Sequence, residues 1–120
     1  MVVDKDMVGA FISGICLIHC LTGPFLILLG ITSLGHAHSI EQAFHYMILA
    51  PILILAAWSI PKGLKKHHRK LPAMLSVIGM VFLMLGLIVI KLSLLLTIMG
   101  SVSLFVAHLY NRKLLNGLNR

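Results

Sequence analysis

Acidic residues are almost absent from this 120-residue chain: Asp4, Asp6 and Glu41 are the full set. The run from Val8 to Leu34 contains none of them, and no Lys or Arg either. Charged residues make up 11% of the sequence and hydrophobic residues 59%. A soluble domain of this size could not hide that much apolar surface and still present a polar exterior. There is no P-loop, no glycine-rich dinucleotide motif and no Walker-type region, so ATP-driven or soluble-enzyme chemistry has no motif to carry it. The chain is read as not an enzyme. Cysteine is scarce too. Cys16 and Cys20 are the only two, and on one helix they would clamp no more than a single turn, a poor structural disulfide.

What is present is apolar sequence in bilayer lengths. A spanning helix needs about 20 apolar residues. Four such spans, near residues 7–32, 43–60, 71–90 and 92–110, fill the chain. The expected fold is all-α: an integral membrane four-helix bundle in one domain, residues 1–120, with no room for a soluble domain. Met1 to Asp6 reads as a short polar tail. The first apolar run is too long for a signal-peptide h-region and no Ala-x-Ala-like cleavage site is apparent, so it reads as a retained span. No acidic residue falls inside a predicted span, which argues against a carboxylate proton relay. That leaves His19 and His108 as the titratable candidates. Pro24, beside Gly23, predicts a kink just after the cysteine pair. Pro51 lies inside the second span and Pro72 in the first turn of the third, where proline is tolerated. Small residues recur at helix-packing spacings: Gly9 and Ser13, Gly79 and Gly86, Gly100 with Ser103 and Ala107.

Basic residues set the topology. The formal net charge of +7 would suggest nucleic acid in a soluble protein. Here the charge clusters at span ends, where orientation and lipid head groups explain it. Residues 61–70 read as a loop carrying five of the ten basic residues: Lys62, Lys65, Lys66, Arg69 and Lys70. The C-terminal tail adds Arg112, Lys113 and Arg120, while Lys91 marks the last turn. With both termini in the cytoplasm, nine of the ten basic residues lie inside, as the positive-inside rule requires. Trp58 suits an interfacial belt.

Two constellations could bind metal. Cys16, His19 and Cys20 sit at helical spacings that let all three share a face. Cys16 falls roughly 13 Å into its span, near the midplane. Thiolates select soft ions, imidazole suits zinc and copper, and an imidazole at that depth marks a site by default. Hydrogen bonding of His19 to another helix is the alternative. The second group is His36, His38, Glu41 and His45, expected on the outer side. Three imidazoles and a carboxylate can close a tetrahedral site or leave it open; a solvated histidine loop is the alternative. His108 could reach the inner end of the first span, a turn or two below Cys16, as a third ligand or an exit relay. An interfacial hydrogen-bonded histidine is the competing reading. His67 and His68, among lysines, read as a solvated or lipid-facing loop.

The stretch Cys16-Leu17-Ile18-His19-Cys20 followed by Thr22-Gly23-Pro24, the HHRKLP segment and the late GSVSLFVAHLYNRK together resemble the MerC family of bacterial inner-membrane mercuric-ion transport proteins. The resemblance covers nearly the whole chain. It implies four transmembrane helices and uptake of a soft divalent ion through the first-helix pair, here Cys16 and Cys20 with His19 beside it. Members serving mercury resistance generally have further cysteines toward the C-terminal side. This chain has none beyond Cys20, and its histidine group suits zinc or copper better than mercury. The expected function is membrane transport or binding of a soft or borderline metal ion (Hg, Zn or Cu). The alternative is a non-transporting metal or redox sensor, or an accessory subunit. The expected partners are the metal ion and the lipid bilayer, with no nucleic acid. So small a bundle has little interior, which adds a homodimer to the expectations.

Overall fold

The computed structural model describes residues 4–28 and 37–118. These form four helices: α1, Lys5–Leu28; α2, Ala37–His67; α3, Leu71–Ile88; and α4, Ser93–Leu118. A short 3-10 turn, Ile90–Leu92, joins α3 to α4 and carries Lys91. No strand occurs among the described residues. Each helix contains a stretch long and apolar enough to cross a membrane, so the all-α membrane bundle is borne out.

The distribution of side chains is inverted relative to a soluble bundle. On α1 the large apolar residues Phe11, Ile18 and Phe25 face outward, each at least 60% exposed. The buried stripe is Asp6, Gly9, Ser13, Cys16 and Cys20, with Ala10 beside it. These positions alternate by three and four residues, the spacing of a helix–helix seam. Lipid tails accept the bulky side chains, so small and polar residues are left to line the contact between helices.

α4 is the hub, packed against all three other helices and most extensively against α3 and α1. Its contact with α3 is backbone-close. A Cβ added at Gly79 would lie 2.9 Å from the Gly100 carbonyl oxygen, and one at Gly100 would lie 2.9 Å from the Gly79 carbonyl oxygen. Ser103 Oγ donates to the Leu75 carbonyl at 2.7 Å across the same interface. The expected close approach at Gly79 and Gly100 is therefore present.

Two helices run further than the expected spans. α2 continues through Pro61 to His67, so the basic stretch expected as a loop from residue 61 is mostly two helical turns. At 31 residues it reaches about 46 Å, well beyond a ~30 Å hydrocarbon core. Lys65, Lys66 and His67 occupy its last turn, where cations complement the C-terminal partial negative charge. α4 likewise continues past Tyr110 to Leu118. Trp58 is half exposed, with Lys5 Nζ 4.3 Å and Lys62 Nζ 4.8 Å from its ring centroid, an arrangement suited to an interface.

His68 ends α2 in the left-handed region, at φ 54°. Its N–H donates to the Leu64 carbonyl at 2.9 Å, the closing bond of a left-handed C-terminal cap. Glycine is the usual residue there, because a Cβ in that conformation meets the following carbonyl. His68→Gly is accordingly expected to stabilise the fold by about 1 kcal/mol, read as a higher midpoint in thermal unfolding. An unchanged or lower midpoint would count against strain at this residue.

Candidate functional site

The cysteines lie in the bundle interior. Cys16 is 3% exposed and Cys20 4%, and they pack with Leu49, Ile52, Ala56, Leu83 and Leu104. Ser101 on α4 donates its hydroxyl to Cys16 Sγ at 3.4 Å. His19 sits half-buried beside this stripe. Among the described residues, no three His, Cys, Asp or Glu side chains form a ready-made ligand cluster.

His36 lies outside the described residues. His38, Glu41 and His45 belong to the first turns of α2, though their side chains are also outside the described ones. Three and four residues apart on a continuous helix, these positions share one face. Gly23 and Pro24 lie within α1, but their side chains are outside the described set, and so is the kink expected there.

The densest polar arrangement lies at the other end of the cysteine stripe and centres on Asp6. Asp6 was expected in a polar tail. It stands instead in the first turn of α1 and is 3% exposed. The positive end of the helix dipole favours a carboxylate there. Three side chains from two other helices converge on it. Ser59 Oγ donates to Asp6 Oδ1 at 2.8 Å. His108 Nδ1 lies 3.1 Å from the same oxygen. Asn111 Nδ2 donates to Oδ2 at 2.8 Å. His108 and Asn111 are 0% exposed and one turn apart on α4, so both reach the same carboxylate.

This overturns two expectations. An interior carboxylate is present, because α1 begins early enough to carry Asp6 into the bundle. And His67 is not a solvated loop residue: it ends α2, with Nε2 2.9 Å from Asn111 Oδ1. His68 is exposed as expected. Glycines make the space. A Cβ at Gly9 would lie 2.6 Å from the His108 ring, and one at Gly63 would collide with the Asn111 amide. Gly9 thus serves side-chain accommodation rather than backbone approach. It stands two turns before Cys16 on α1, which puts His108 about 10 Å below the thiol along the seam.

Asp6, Ser59 and Asn111 were not singled out in the sequence. The available signal was the alternation of three and four residues running back from Cys20 through Cys16, Ser13 and Gly9 to Asp6. The homodimer finds no support in this single-chain structure.

Comparison with known proteins gives one match. The family model described as MerC mercury resistance protein fits residues 6–113, a range that runs from Asp6 through both cysteines and His108. No curated protein and no solved structure matches the chain. The match covers most of the sequence and links four membrane-length helices to the handling of mercuric ion by a transport family rather than an enzyme family. This chain belongs to the MerC family of membrane mercury resistance proteins.

Proposed function

We propose that this protein carries a soft metal ion through the bilayer along the seam between α1 and α4, with Cys16 and Cys20 as its central ligands. The observation that carries this reading is the buried stripe of α1. Two thiols occupy the interior while the bulky apolar side chains of the same helix face outward. Thiolates select soft ions over hard ones, which favours Hg(II), the family's ion, over zinc. Each thiol must lose its proton when it binds metal, so loading releases protons and weakens in acid.

His36, His38, Glu41 and His45 act as the capture group at one end of the bundle, and His19 assists transfer to the thiols. The ion leaves toward His108. The basic residues of α2 and α4 stand at the end that holds Asp6, and the positive-inside rule makes that end cytoplasmic. Both termini then lie in the cytoplasm of a bacterium, with the bundle in its inner membrane. Transport is downhill, driven by trapping of the ion inside.

Purified protein in liposomes loaded with a mercury-sensitive dye tests the reading. Hg(II) entry above that of empty liposomes is expected, and slower entry of Zn(II). Tight Hg(II) binding without entry would defeat the carrier reading in favour of a sensor or accessory role.

A further inference from the structure

The hydrogen bonds around Asp6 have a single direction, and that direction determines the chemistry of His108. The backbone N–H of Arg69 can only donate, and it lies 3.0 Å from His67 Nδ1. His67 Nδ1 is therefore an acceptor, and in the neutral ring the proton sits on Nε2. Nε2–H then donates to Asn111 Oδ1, which orients the Asn111 amide so that its Nδ2 donates to Asp6 Oδ2. An ionised carboxylate has no hydrogen to give. Asp6 thus receives Asn111, Ser59 and, at Oδ1, the Nδ1–H of His108.

With the proton on Nδ1, the other ring nitrogen is a bare lone pair. His108 Nε2 is buried and has no hydrogen-bond partner. Were it protonated, a buried N–H would be orphaned, a rarer and costlier state than an unmet acceptor. The ring lies over Gly9 on the α1 stripe that leads to Ser13 and Cys16. Ser13 Oγ is also buried and unpartnered. The seam between the thiols and His108 therefore holds two unmet polar atoms on a line of small side chains. A carboxylate on one imidazole nitrogen with the other left open is the arrangement that prepares a histidine to ligate metal.

We infer that Asp6 is a positioning residue, held by Ser59 and by the Asn111–His67 pair, which fixes His108 as the Nδ1–H tautomer. Its Nε2 is thereby presented to the seam as the nitrogen that accepts the ion leaving Cys16. The acceptor role rests on the transport reading above; the tautomer does not. The relay makes the ring orientation depend on the turn after α2, since its first donor is the Arg69 amide.

The test is ¹⁵N-histidine NMR on the full-length protein in lipid nanodiscs, with His108 assigned by the signal lost in His108→Gln. Without metal, His108 is expected to show a protonated Nδ1 and an unprotonated Nε2. Hg(II) is then expected to move the Nε2 signal. In Asp6→Leu, which keeps the number and branching of side-chain heavy atoms but removes every acceptor, the proton is expected to shift to Nε2 and the response to Hg(II) to fall. A proton on Nε2 in the wild-type, metal-free protein would overturn the inference, even if Asp6→Leu failed to fold. So would an Nε2 signal that stays fixed while Hg(II) saturates the thiols. Absence of any Hg(II) binding would overturn the transport reading, and with it the acceptor role, without touching the tautomer.

Discussion

Cys16→Ser and Cys20→Ser are each expected to lower Hg(II) affinity by more than roughly a hundredfold, since the partners that merely orient a ligand already contribute 10–100-fold. Serine nearly matches cysteine in size, so the buried stripe stays packed. Ser101 keeps an acceptor at position 16, because its hydroxyl can donate to a serine oxygen as it does to Cys16 Sγ. What disappears is the soft donor. A hydroxyl does not ionise near neutral pH and does not select soft ions. The fold should survive with little change in unfolding midpoint, while entry of Hg(II) into liposomes drops toward background. Equilibrium titration of the purified variants supplies the affinity. Wild-type affinity in both would remove the thiols from the site.

Asp6→Ala should produce the largest loss of stability. The carboxylate accepts three hydrogen bonds inside the bundle. Truncation leaves the Ser59 hydroxyl, the His108 ring and the Asn111 amide facing a cavity. One unmet buried group costs about 1–3 kcal/mol, and breaking a buried polar pair from one side costs about 3–5 kcal/mol. A total near 3–5 kcal/mol is expected, after some relaxation of the amide toward solvent. Denaturant or thermal unfolding in micelles would measure it. A loss below about 1 kcal/mol would mean that water already satisfies these groups, contrary to the 3% exposure of Asp6.

The helices were readable because the bilayer imposes one strong demand, enough consecutive apolar residues to cross it, and hydropathy reports that directly. The cysteine pair was readable because two thiols and a histidine stand out in an apolar run. Asp6, Ser59, His67 and Asn111 were not, for a common reason. Each lies where apolar sequence gives way to charge, and there a helix that continues looks the same as a loop that begins. Pro61 and the lysines after it pointed to a loop, yet α2 runs on to His67. The polar tail assigned to residues 1–6 concealed the first turn of α1. Neither partner of Asp6 on α4 could be inferred locally, because both are more than a hundred residues away. The proposed capture group of His36, His38, Glu41 and His45 was legible as spacing, and α2 carries the last three on one continuous helix.

The separation between Asp6 and its partners also bears on when the site exists. Ser101 and Cys16 are 85 residues apart, and His108 and Asp6 are 102 apart. α1 enters the membrane first and α4 last of the four. Through most of synthesis, the thiols and the carboxylate of α1 therefore have α2 beside them but not α4. Ser59 on α2 can cover Asp6 early, but His108 and Asn111 arrive only with α4. The seam that would hold the ion is consequently the final contact the bundle makes. A chain interrupted before α4 would leave the α4-facing side of that polar stripe open to lipid.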